Sequence, residues 1–190
     1  MIDSPEKLIT EYFTLGKSVL GSISPVEVAL LAQAIDNSRK SNQTVFVAGN
    51  GGSAATASHF ATDIGVGSLR RLNPVKVICL NDNVAVLTAV ANDVDYNSVF
   101  EHQLNVLAQS GDLLILISAS GNSENLLKAA EAANKLGVNV LSLTGFNGGK
   151  LREITTGRNV HVETEIGSYG LVEDAHMAIC HVVTECLRSN

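Results

Sequence analysis

The sequence predicts an α/β fold: a doubly wound, five-stranded parallel sheet with helices on both faces and a helical extension at its N-terminus. Three observations carry that prediction. Short apolar runs of strand length alternate with longer segments of helical character. The core is aliphatic, because 45% of residues are hydrophobic while aromatics make up 4% and tryptophan is absent, as suits strands buried on both faces. Repeated strand–turn–helix units imply parallel neighbours joined by right-handed crossovers.

Taken in order, residues 1–43 hold no strand-like run. Leu8, Ile9, Tyr12 and Phe13 recur at helical spacing, as do Val28, Leu31, Ala32 and Ile35, with Ser22 to Pro25 between the two segments. Such helices pack ahead of the main sheet or against another subunit. Residues 44–190 form the α/β core. Thr44–Ala48 is the first strand and runs into Gly49-Asn-Gly-Gly-Ser53 and an alanine-rich helix to Ile64. Val75–Leu80 is the second, followed by helical segments through Leu107. Asp112–Ser118 is the third, with a helix from the Ser120-Gly-Asn-Ser123 turn to about Leu136. Val138–Leu143 and Arg158–Val162 supply the fourth and fifth, and Leu171–Leu187 closes the chain as a helix. A length of 190 residues without a linker or low-complexity tract fits one domain, 1–190.

Composition excludes several classes. The net charge is −6 and the nearest approach to a basic stretch is Arg70-Arg71, so nucleic-acid binding through a cationic face is not expected. Cys79, Cys180 and Cys186 form neither a disulfide framework nor a C-x-x-C pair. The opening MIDSPEKLI carries acids where a secretory signal carries basic residues. No apolar run approaches the ~20 residues of a membrane span. The expectation is a cytoplasmic protein with no membrane partner.

Two turns have unusual chemistry. In Gly49-Asn50-Gly51-Gly52-Ser53 the glycines let an anion approach backbone N–H groups, and Ser53 adds a hydroxyl. In Ser118-Ala119-Ser120-Gly121-Asn122-Ser123 three hydroxyls lie between an apolar strand and a helix. Donors at a positive helix end suit a phosphoryl group, and none needs a Lys or Arg. Either turn alone reads equally as ordinary turn and capping chemistry. Two of them at the carboxyl edge of one sheet, where doubly wound folds bind ligands, favour a ligand. Neither matches the dinucleotide or P-loop pattern.

Ionisable residues form two groups. His59 and Asp63, four apart, share a helical face; they suit two metal ligands, a base with its orienting partner, or a surface hydrogen bond. Glu173, Asp174, His176 and His181 lie on a largely apolar helix, where buried charges need partners. At about 100° per residue, His181 falls between Glu173 and Asp174, nearer Asp174. That geometry leaves open which acid works beside it, and a structural hydrogen-bond network remains an alternative.

At these residues the chain resembles the sugar isomerase (SIS) domain family, specifically its phosphoheptose isomerase group. The resemblance covers nearly the whole chain. It is carried by Gly49-Asn-Gly-Gly-Ser-Ala54, His59-Phe-Ala61, Ala91-Asn-Asp93, Ser118-Ala-Ser-Gly-Asn-Ser123, Leu143-Thr-Gly145 with Gly148-Gly149, and Glu173–His181. It implies that Ser53, Ser118, Ala119, Ser120 and Ser123 line a phosphate site, and that Asn50, Gly51, Gly52, Asn92 and Asp93 contact the sugar. It implies a homotetramer with active sites between subunits, and one Zn²⁺ per subunit on His59, Asp63, Glu173 and His181. Asp63 stands where the family has glutamate, and Glu173 where it has glutamine. The implied activity converts sedoheptulose 7-phosphate into D-glycero-D-manno-heptose 7-phosphate, an aldose–ketose isomerisation through an enediol. The catalytic residues implied are Asp63, Glu173 and His181, with Asp63 or Glu173 as the base. The alternative is a non-catalytic scaffold or sugar-phosphate-binding protein similar to the DnaA initiator-associating protein; retention of an acid at Asp63 and of His181 favours the enzyme.

Overall fold

Strand β1 (Thr44–Gly49) sits at the centre of the architecture, because the chain leaves it in one direction and later returns on its other side. The computed structural model describes residues 4–68, 74–155 and 158–189, so the Arg70-Arg71 pair lies outside the described residues. From β1 the chain passes through α3 (Gly52–Gly67) to β2 (Lys76–Cys79), an edge strand. It then runs through α4 (Val84–Asp93), a 3-10 turn (Tyr96–Ser98) and α5 (Val99–Leu107) to β3 (Leu113–Ser118) on the opposite side of β1. The sheet grows outward through α6 (Glu124–Leu136), β4 (Asn139–Phe146), α7 (Gly149–Ile154) and β5 (Asn159–Glu163), and α8 (Tyr169–Ser189) closes the chain. All pairings are parallel, in the order β2-β1-β3-β4-β5. The order reverses between β1 and β3, so the crevice at their carboxyl ends is the topological switch point where such sheets bind ligands.

Strand parity builds two cores. Side chains of a strand alternate between faces, so Val45, Val47, Ile115, Ile117, Leu143 and Val162 point to one side. There they meet Leu31 and Ile35 of α2 (Pro25–Lys40), Phe60 and Ile64 of α3, and Ile179 and Val183 of α8. Phe46, Ala48, Leu114, Leu116 and Val140 point to the other side, against Phe100, Leu104, Leu126, Ala130 and Leu151. Helix α2 is well specified at its start: Pro25 occupies the first turn and the Ser24 hydroxyl accepts from the Glu27 N–H at 3.3 Å.

Helices α1 (Pro5–Ser22) and α2 differ in where they lie. Helix α2 is a layer on the sheet and buries Leu31 and Ile35 fully, each stabilising the fold by about 1.5–3 kcal/mol. Helix α1 buries no residue and exposes Leu8, Ile9, Phe13, Leu15 and Leu20. It touches the rest of the protein chiefly along α8, where the Tyr12 hydroxyl donates to Asp174 Oδ2 at 2.6 Å. Among the described residues, no single helix is long and apolar enough to cross a membrane. The bent pair of α1 and α2 reaches that length only together, and α2 spends its apolar face on the core.

Candidate functional site

The two serine- and glycine-rich turns meet where the strand order reverses. Gly49 pairs with Ile117, which places the ends of β1 and β3 side by side and aims α3 and α6 from one edge of the sheet. Between them lies a cavity of about 130 Å³ lined by Asn50, Ser53, Ile117, Ser118, Ala119, Ser120, Ser123, Tyr169 and Glu173. The second turn is shaped by its own hydroxyls. Ser118 Oγ accepts from the Gly121 N–H at 3.0 Å and Ser120 Oγ from the Asn122 N–H at 3.3 Å. Each hydroxyl oxygen is thus engaged while its hydrogen stays available to donate. Ser123, the residue before α6, makes no capping bond with its side chain. Hydroxyl hydrogens and the open N–H groups of two helix starts converge, which is an environment for a phosphate dianion.

Glu173 enters this pocket from the first turns of α8. Its carboxylate lies directly over Gly52, where a Cβ would overlap it, so a larger residue there would push the acid aside. Tyr169 stands beside it, packed edge-on against Phe146 with ring centroids 5.0 Å apart. The residue patterns read from sequence do not single out Tyr169. Its one visible signal is an aromatic at the start of the closing helix in a chain with few aromatics.

A second group lies further along α3 and α8. His59 Nε2 sits 3.0 Å from His181 Nε2 and 3.3 Å from Asp63 Oδ2. The donor atoms of these three residues all lie within 4.8 Å of one another. One proton cannot bridge both contacts of His59 Nε2, whereas a cation can. Ligand atoms about 2.0–2.2 Å from a tetrahedral Zn²⁺ stand about 3.3–3.6 Å apart. Two imidazoles and one carboxylate converging in this way form a group that could hold a metal ion. Neither buried thiol competes, because burial pushes Cys79 up to about 12 and raises Cys180 as well.

The structure separates the four ligands that the resemblance implies. Glu173 is outside the His59–Asp63–His181 group and lines the neighbouring pocket. Eight residues separate it from His181, which is about 12 Å along a helix and about 80° around it. Asn92 and Asp93 end α4, are exposed, bond each other at 2.8 Å, and do not line the pocket. Gly51 and Gly52 form the start of α3. Helix α8 also buries less charge than its composition suggests: of Glu173, Asp174, His176 and His181, only His176 is buried, because the others fall on its outer side. Asp174 faces Tyr12, whose hydroxyl is held above its ordinary value chiefly because it donates to that carboxylate. His176 is fully buried with neither ring nitrogen hydrogen-bonded, and burial lowers it to about 4.

Comparison with known proteins identifies the family. The family model of the SIS domain matches residues 15–145. The chain is 35% identical over 191 aligned residues to the phosphoheptose isomerase of Campylobacter concisus, covering 98% of this chain and 95% of that protein. A solved structure of the phosphoheptose isomerase from Neisseria gonorrhoeae superposes with a TM-score of 0.89 at 26% identity, covering 98% of this chain and all of that one. A phosphoheptose isomerase from Francisella tularensis superposes with a TM-score of 0.87 at 28% identity, covering 99% of this chain.

Proposed function

This chain belongs to the SIS domain family, and from that premise we propose that it is a phosphosugar isomerase interconverting sedoheptulose 7-phosphate and D-glycero-D-manno-heptose 7-phosphate. The observation that carries the proposal is a single pocket lined both by Ser53, Ser118, Ser120 and Ser123 and by Glu173. Ser53, Ser118, Ser120 and Ser123 hold the phosphate, and Asn50 contacts the sugar. A carboxylate beside a bound dianion is repelled by it, so Glu173 faces the sugar carbons and not the phosphate.

The chemistry then follows from position. Glu173 takes the C1 proton of the ketose, the C1–H electron pair forms the C1–C2 double bond, and the carbonyl oxygen at C2 gains a proton to give the enediol. The same carboxyl returns its proton to C2 while the C1 hydroxyl loses its proton, leaving the aldose. His59, Asp63 and His181 would hold a Zn²⁺ ion, which supplies positive charge for the oxygens as they become anionic. Asp63, 3.3 Å from His59, is engaged by the histidine, which leaves Glu173 as the base.

The proposal includes a homotetramer with sites between subunits, supported by the exposed apolar residues of α1 beside the helix that carries Glu173. A cytoplasmic location suits three cysteines that are all free. Residues 1–190 act as one SIS domain. The test is incubation with sedoheptulose 7-phosphate in deuterated water. Deuterium should appear at C1 or C2 with the wild-type protein and not with Glu173→Ala; full exchange in that variant would sink the assignment.

A further inference from the structure

Asn50 is the pocket residue most tightly held by groups outside the pocket. Its Nδ2 donates to Asn125 Oδ1 at 2.8 Å, and Asn125 Nδ2 donates back to Asn50 Oδ1 at 2.9 Å. The Tyr96 hydroxyl donates to the same Asn50 Oδ1 at 3.0 Å. Asn125 is almost fully buried, at 2% exposure. An amide oxygen has two acceptor sites and the amide nitrogen two hydrogens. Both acceptor sites of Asn50 are therefore filled, and one hydrogen is used. What remains is a single N–H.

We propose that Asn125 is a positioning residue that fixes the Asn50 amide so that it presents an N–H, never its carbonyl, to the bound sugar phosphate. The inference rests on the reading of this pocket as the sugar-phosphate site. An N–H suits the ligand's carbonyl and ether oxygens, which only accept, whereas an amide oxygen turned toward them would repel them, so the orientation of this amide decides whether Asn50 helps or hinders binding. The two partners of Asn50 are themselves tied together. Lys128, three residues after Asn125 and on the same face of α6, lies 3.6 Å from Asp95 Oδ2 and donates to Ser98 Oγ at 3.3 Å. Ser98 in turn donates to Asp95 Oδ2 at 2.8 Å. One face of α6 thus anchors the turn that carries Tyr96 through Lys128 and the first phosphate turn through Asn125. It holds the Tyr96 hydroxyl and the Asn125 amide in register with Asn50.

Asn125→Asp, Asn125→Leu and Tyr96→Phe test this. In Asn125→Asp an oxygen replaces the donor opposite Asn50 Oδ1, so the amide loses its preferred orientation. Its KM for sedoheptulose 7-phosphate should rise about tenfold, the cost of roughly one hydrogen bond to a charged ligand, with kcat within about threefold because Glu173 is untouched. Asn125→Leu should do the same where it folds. Tyr96 is exposed, and Tyr96→Phe removes one donor without disturbing the core, so its KM should rise about threefold. Wild-type KM in Asn125→Asp or Tyr96→Phe, or a fall in kcat with KM unchanged, overturns the positioning role. A wild-type protein that does not turn over sedoheptulose 7-phosphate overturns the substrate reading instead. The positioning role is then judged by calorimetric binding of sedoheptulose 7-phosphate without turnover: weakened in both variants it stands, and unchanged it falls.

Discussion

Acid should unfold this protein earlier than its carboxylates require, and His176 is the reason. The ring is fully buried on α8, and neither nitrogen is hydrogen-bonded. Its value falls from 6.5 to about 4, chiefly through desolvation, with the Thr144 backbone offsetting part of the shift and the nearby His161 adding to it. In the unfolded chain the same imidazole titrates near 6.5. The native state therefore binds fewer protons than the unfolded state below pH 6.5. Stability from this group is complete above that pH and is lost as pH falls towards 4. At pH 5 the unfolded form is protonated and the native form is not. The difference of about 1.5 pH units at 1.36 kcal/mol each amounts to about 2 kcal/mol lost between pH 7 and pH 5.

For a chain of this size that loss corresponds to a fall in Tm of about 4–8 °C. The assay is urea unfolding at pH 7 and pH 5, at one protein concentration, with wild type and His176→Met. Methionine fills the site without a titrating group. His161 is also lowered, chiefly by burial and then by the Arg152 charge, and its contribution appears in both proteins. The variant should lose about 2 kcal/mol less than wild type across the same interval. An equal pH dependence in the two proteins would refute the reasoning.

Three further outcomes are expected. Gly52→Ala places a methyl where the Glu173 carboxylate lies, so kcat should fall at least tenfold while circular dichroism at 25 °C stays that of wild type. Zinc should raise the Tm of the wild-type protein in a thermal melt and should leave His59→Ala or His181→Ala unchanged, because each removes one of three converging donors. Phe13→Asp places a charge on the exposed apolar side of α1. It should reduce the mass measured by light scattering from that of the proposed tetramer towards that of a monomer.

Which parts of this were legible in the sequence depended on how local their causes are. Strands β1 and β3 read directly because their apolar runs are bounded by turn chemistry. Strand β4 extends past Leu143 to Phe146 because Thr144, Gly145 and Phe146 pair with His161, Val162 and Glu163, and only that pairing makes Thr144-Gly145 a strand. Helices α1 and α2 show the same kind of apolar periodicity, yet one is exposed and the other is core. Periodicity gives a face and not what covers it. The serine pocket was legible because its donors come from two short contiguous turns. The Asn50–Asn125 pair was not: its members are 75 residues apart, and nothing in an asparagine at the start of a helix says which other asparagine it meets.

The two departures from the family pattern gain a common explanation from the separation of Glu173 and Asp63. The resemblance implies glutamate at the position of Asp63 and glutamine at that of Glu173. The shorter Asp63 stays beside His59, one methylene further from any sugar in the pocket. Glu173 lines that pocket and, unlike glutamine, can take a proton. In the proposed reading the base has moved from α3 to α8, and the two substitutions compensate each other. Glu173→Gln alone removes the only carboxylate lining the pocket among the described residues, so it should lower kcat by about 10²–10⁴, the usual contribution of general base catalysis. Asp63→Glu together with Glu173→Gln should recover much of that loss, because the longer side chain restores a carboxylate from the opposite helix. Coupling between the two substitutions is the measurable signature. If Glu173→Gln is fully active, or if the double variant is no faster than Glu173→Gln alone, the base has not moved and the two differences are independent.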